Sequence, residues 1–128
     1  MRQETILQSD GREMNYYVWL AEPEEAVLQV VEGASEQALR YREFAEWMQQ
    51  RGVSVYAMDN RGHGRNRDVE GYVHIDHKNW HQLVDDVISL GEKIRRDRGK
   101  KPFLLGHSMG SFISRCVALE GADYKPFI

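Results

Sequence analysis

A chain of 128 residues with three prolines and one cysteine has the length of a single domain, enough to bury a core without disulfides or a structural metal. Apolar residues at 41% and charged residues at 29% exclude a disordered chain, and a net charge of −3 excludes a field that would gather nucleic acid. Charges in "MRQETILQSDG" break the place where a signal peptide needs an apolar core, and no run approaches the ~18 apolar residues of a membrane span, so the chain reads as cytoplasmic without stable membrane insertion. Cys116 reads as a structural thiol.

The strand-like runs "TILQS" and "MNYYVWL" flank Asp10-Gly11, a hairpin signal, so the chain opens with an antiparallel pair. "AVLQVV", Ala26 to Val31, is a β-branched run of the kind covered on both faces. From Leu39 to Arg51 a helix is expected, with Phe44, Trp47 and Met48 as its apolar stripe and Gly52 closing it. "VSVYAM", Val53 to Met58, is a second buried strand, followed by a polar segment to Asn79 with the composition of a functional loop. A helix from about Asn79 to Arg98 carries Trp80, Leu83, Val84, Val87, Ile88 and Ile94 at 3.6-residue spacing and ends on Gly99. The strand "PFLLGH" and a helix from about Gly110 to Glu120 complete an alternation that predicts an α/β sheet, antiparallel at its start and mostly parallel after, flanked by helices.

Within "KPFLLGHSMGSF", Ser108 stands between Gly106 and Gly110 where a strand passes into a helix. A serine on such a turn projects its hydroxyl off the strand end, glycines allow close backbone passage, and the helix N-terminus aims N–H groups at any oxyanion forming nearby. Met109 is then the natural first oxyanion donor. The other reading of Ser108 is a helix cap in an ordinary βα turn.

Three segments, "VVEGASEQALRY", "MDNRGHGRNR" and "LLGHSMGSF", occur in an order and spacing that resemble the serine α/β-hydrolases of monoacylglycerol lipase and lysophospholipase type. The resemblance covers nearly all of this chain and the first part of the family's domain. It implies a carboxylic ester hydrolase working through an acyl-enzyme, with a small-molecule acyl ester or lysolipid as substrate and no cofactor, metal or nucleic acid. It makes Ser108 the nucleophile and gives the oxyanion-hole N–H groups to Ala34 and Met109. Gly33, Asp59, Arg61, Gly62, His63, Gly64, Gly106, His107 and Gly110 fall to the structural motifs. Where the family reads His-Gly and then Glu-His, this chain has Glu32-Gly33 and Glu36-Gln37. A carboxylate at Glu32 opposes an oxyanion unless it is neutralised or turned away.

Triad partners in this fold follow the nucleophile, acid first and histidine last, yet no histidine follows Ser108. Glu120 and Asp123 read as solvated acids at the helix exit. His107 is expected to point away from Ser108, and nothing in the spacing of His74, His77 and His81 brings them to it or makes them a metal site. The 128 residues are therefore expected to be an incomplete hydrolase core, inactive alone. The alternative is a noncatalytic, hydrolase-derived assembly module. In either case Phe103 to His107 is expected at a sheet edge, open to self-association or a partner chain.

Overall fold

A computed structural model describes residues 1–67, 77–120 and 124. Five strands form one sheet: β1 (Arg2–Leu7), β2 (Glu13–Trp19), β3 (Ala26–Val31), β4 (Val53–Met58) and β5 (Phe103–Gly106), in the order β1-β2-β4-β3-β5. The hairpin β1/β2 is antiparallel, β2 joins β4 antiparallel, and β3 runs parallel to both β4 and β5. Three helices accompany the sheet: α1 (Arg42–Gln49), α2 (His77–Arg98) and α3 (Met109–Leu119).

Period-two alternation sorts the core. Tyr16 and Val18 turn to the face covered by Leu90 and Ile94 of α2, while Tyr17 and Trp19 turn to the opposite face with Ala38 and with Ala45 of α1. A third cluster joins Val31 and Leu104 to Leu83, Val84 and Val87 of α2 and to Ile113 and Val117 of α3. β3 and β4 are buried after their first residue, as their continuous apolar runs require. The polar interloper Gln29 is satisfied inside: its Nε2 donates to the Val87 carbonyl at 2.9 Å and its Oε1 accepts from the Tyr124 hydroxyl at 2.7 Å.

The first helix departs from the expected pattern. Ala38–Tyr41 is a 3₁₀ turn and α1 starts only at Arg42. Phe44 and Trp47 face outward, and the inward stripe is Tyr41, Ala45 and Met48. Those three positions share one helical face, while Trp47 lies a turn-fraction away and is covered instead by the Arg51 guanidinium, 3.7 Å above its ring. Gly52 and Gly99 close α1 and α2 with φ of +82° and +66°.

β5 occupies one edge of the sheet, and Leu105 on it is 40% exposed. A groove of about 750 Å³ runs beside it, lined by Leu104, Leu105, Arg115, Ala118 and Leu119. Among the described residues no helix is long and apolar enough to cross a membrane.

Arg61 fastens the loop after β4 to two distant elements. Its Nε and Nη2 grip Asp86 of α2 at 3.0 and 2.8 Å, and Nη1 reaches Asp10 in the β1/β2 turn at 2.6 Å. The Asp86 carboxylate is almost fully buried, whereas the Asp10 side chain is 36% exposed. Removing the buried partner leaves the Arg61 guanidinium with Asp10 alone and little water. Asp86→Ala is expected to cost about 3 kcal/mol of unfolding free energy in chemical denaturation, against no more than about 1 kcal/mol for Asp10→Ala.

Candidate active site

Ser108 follows β5 and immediately precedes α3, with φ 54° and ψ −121°, a conformation that residues with a side chain rarely adopt. It holds the N-cap position, yet its side chain makes no capping hydrogen bond. The strain is held by the surrounding backbone: Gly110 N–H donates to the His107 carbonyl and Ser111 N–H to the Ser108 carbonyl, both at 2.9 Å. The Ser111 hydroxyl adds a 2.6 Å bond to that same Ser108 carbonyl.

The glycines are required by close approach. A Cβ on Gly110 would strike the carbonyl oxygens of Val31 and Glu32, and one on Gly106 would strike the Gly110 carbonyl and the Ser114 hydroxyl. α3 therefore seats its first turn directly on the end of β3. This brings Gly33 so near that a Cβ there would lie 3.1 Å from the Ser108 Cβ and 3.2 Å from the His107 carbonyl oxygen. Ala34 and Ser35 form an exposed turn next to it, Ser35 with φ 59°. Met109 opens α3, so its N–H belongs to the unpaired first turn of a helix.

Glu36 organises this turn, a role the sequence did not disclose. Its Oε2 accepts the Gly33 N–H at 2.6 Å and the Tyr41 hydroxyl at 2.8 Å, while Oε1 meets Arg40 at 3.1 Å and His107 Nδ1 at 3.2 Å. Burial pushes the Glu36 pKa up, but these donors and the His107 ring outweigh it and hold the carboxyl below its ordinary value. His107 thus turns to Glu36, and among the described residues nothing joins it to Ser108.

The Asp59–Gly64 loop braces the site from below. Asp59, buried, accepts the Ala38 N–H at 2.8 Å and the Arg65 N–H at 3.1 Å, which ties this loop to the one after β3. Gly64 has φ +48° and no room for a Cβ against the Asp59 carboxylate; Gly62 turns the chain at φ +79°. His63 is buried, with Nδ1 3.1 Å from the Arg61 carbonyl, so that nitrogen carries the proton and the ring serves the loop's own geometry. Asn66, another contributor that sequence reading passed over, bonds both main-chain polar groups of Asn15 in β2 at 2.8 and 3.1 Å.

Glu32 is turned away from the surface and fully buried. Its Oε1 accepts the Asn60 N–H at 2.7 Å, and burial first, then the nearby Asp59 and Glu36 carboxylates, raise its pKa to about 8. Burial and the two neighbouring acids thus favour the uncharged form, and the side chain is turned inward. Cys116 is half-buried and takes the Trp80 indole N–H at 3.4 Å. His74 and Asp123 lie outside the described residues.

The strand order, the elbow and the flanking helices define an α/β-hydrolase fold. A solved carboxyl esterase from Bacillus coagulans superposes with a TM-score of 0.86 at 24% identity, covering 98% of this chain and 42% of that one. The chain belongs to the α/β-hydrolase family described as serine aminopeptidase, S33, whose profile matches residues 22–128. It is 32% identical over 121 residues to the monoglyceride lipase of Mus musculus and 34% over 116 to the monoacylglycerol lipase of Mycolicibacterium smegmatis. These matches take in 93% and 89% of this chain and 39% of each relative, so the chain spans about two fifths of their length.

Gly110→Ala is expected to lower the melting temperature by more than 10 °C or abolish soluble protein, because backbone carbonyls cannot step aside. Gly99→Ala, with open space around its Cα, pays only the positive-φ penalty of about 1 kcal/mol. Thermal denaturation of the two variants checks the contrast.

Proposed function

We propose that this chain carries the nucleophile half of a carboxylic ester hydrolase of the monoacylglycerol lipase or lysophospholipase type. Ser108 Oγ attacks the carbonyl carbon of an acyl ester, and the Met109 and Ala34 N–H groups receive the oxyanion. Glu36 supports the second donor by fixing Gly33. The observation that carries this reading is Ser108 itself: a serine held in a strained conformation whose hydroxyl is not spent on capping the helix it begins. The names of the relatives, monoglyceride and monoacylglycerol lipases, supply the substrate class.

A serine needs a base to turn over, and no histidine follows Ser108 in these 128 residues. The chain alone is therefore inactive or very slow, limited to what the elbow and oxyanion donors provide without proton transfer. Incubation with a fluorophosphonate probe is expected to label Ser108 slowly and Ser108→Ala not at all. A folded protein that takes no label, or a Ser108→Ala variant that labels equally, overturns the nucleophile assignment.

The open edge of β5 supports a second reading, a module that assembles through that edge. Its strand side, unpaired among the described residues, the exposed Leu105 and the adjoining apolar groove favour a second copy or a partner polypeptide there. Light scattering across a concentration series is expected to show association that Leu105→Lys weakens. A monomer at every concentration counts against it.

A further inference from the structure

We propose that Glu32, in its uncharged form, is a positioning residue that acts beside Glu36 by anchoring the end of β3 from which the Gly33–Ala34 turn leaves toward Ser108, and that loss of its proton to solvent loosens that turn. The proposal deepens the reading of Ser108 as nucleophile, since the turn matters to chemistry only if that reading holds.

The geometry is that of a clamp with one end left open. Glu32 is 1% exposed at the close of β3. Asn60 grips it twice: its main-chain N–H donates to Oε1 at 2.7 Å, and its side-chain Nδ2 donates to the Glu32 carbonyl at 3.1 Å. The same carbonyl lies under the Cα of Gly110, at the first turn of α3. Main chain and side chain of Glu32 thus link the loop after β4, the end of β3 and the helix that begins at Ser108. The other carboxyl oxygen, Oε2, is buried with no hydrogen-bond partner among the described residues.

An ionised carboxylate in that position has one donor where it needs several. The ionisable groups that face it are Asp59 from the loop after β4, with Glu36 and Tyr41 from the loop after β3, and none of them is a cation. The Arg40 guanidinium and the His107 ring are both bound to Glu36. Charge on Glu32 is therefore opposed by burial and by two acids, and the Asn60 N–H alone favours it. The uncharged acid keeps the Asn60 bond through Oε1 and avoids a buried charge with a single donor.

Linkage gives the direction. A carboxyl raised from its ordinary 4.5 to about 8 leaves stability intact below about pH 4.5, erodes it as the pH climbs toward 8, and changes it no further above. Glu32→Gln, an uncharged near-isostere, removes this dependence.

The test uses the 128-residue protein and its Glu32→Gln variant from pH 4.5 to 9. The two are expected to melt alike at the acid end. The margin in favour of Glu32→Gln then widens up to about pH 8, to roughly 5 °C or more, and stays constant beyond. By NMR, the amide signals of Gly33 and Ala34 shift with a midpoint near pH 8 in the unmodified protein and not in Glu32→Gln. If the variant fails to fold, ¹³C-carboxyl titration of Glu32 in the unmodified protein decides. A midpoint below pH 6, a margin independent of pH, or Gly33 and Ala34 amides that titrate equally in both proteins overturns the proposal. None of these readouts involves Ser108 chemistry, so failure of the nucleophile reading is registered separately by the labelling experiment.

Discussion

The seating of Gly110 on the carbonyl oxygens of Val31 and Glu32 is the contact on which the site depends. A helix can approach a strand end this closely only where a side chain is missing, and the approach decides where Ser108 lies. It brings the β5–α3 turn against Gly33 and presses the two loops that would share an oxyanion into one corner. Everything else at the site is bracing for that approach. Glu36 ties down Gly33, Asp59 ties the loop after β4 to Ala38, and Asn60 ties the same loop to Glu32.

Electrostatics follows from this packing. Crowding three loops into one corner collects Glu32, Glu36 and Asp59, three acids that would repel one another if all were charged and poorly paired. The structure resolves the conflict unequally. Glu36 is given an N–H, a phenol, a guanidinium and an imidazole ring, which favour its ionised form; Glu32 is given one N–H, and burial favours its uncharged form. Two glutamates four positions apart are thereby pushed toward opposite protonation states by burial and by their partners.

What the sequence disclosed is what local pattern encodes. Asp10-Gly11 announced the hairpin, continuous β-branched runs announced β3 and β4, and the glycine-flanked Ser108 announced the turn into α3. The first helix was misread in its facing because Phe44 and Trp47 are the larger apolar residues, while the side that meets the sheet is set by Tyr41, Ala45 and Met48. A small alanine packs against a crowded sheet where a tryptophan would not fit, and an arginine one turn on can cover the tryptophan in solvent. Leu90, fully buried on α2, completes the helical stripe that Leu83, Val87 and Ile94 begin. The bracing roles of Glu36, Asn60 and Asn66 were not legible for a different reason. Their partners come from loops brought together only by the fold, and no spacing along the chain encodes that meeting.

The backbone at Ser108 has a consequence beyond its chemistry. Its dihedral angles suit glycine and burden any residue with a Cβ, so the protein would gain stability by exchanging this serine for glycine and would lose its hydroxyl in doing so. Alanine in its place keeps the burden and removes only the hydroxyl. Under the proposed nucleophile role, stability and reactivity therefore pull in opposite directions at one residue. A library of variants ranked by thermal resistance alone would drift toward glycine here, discarding the one atom around which the rest of the corner is built.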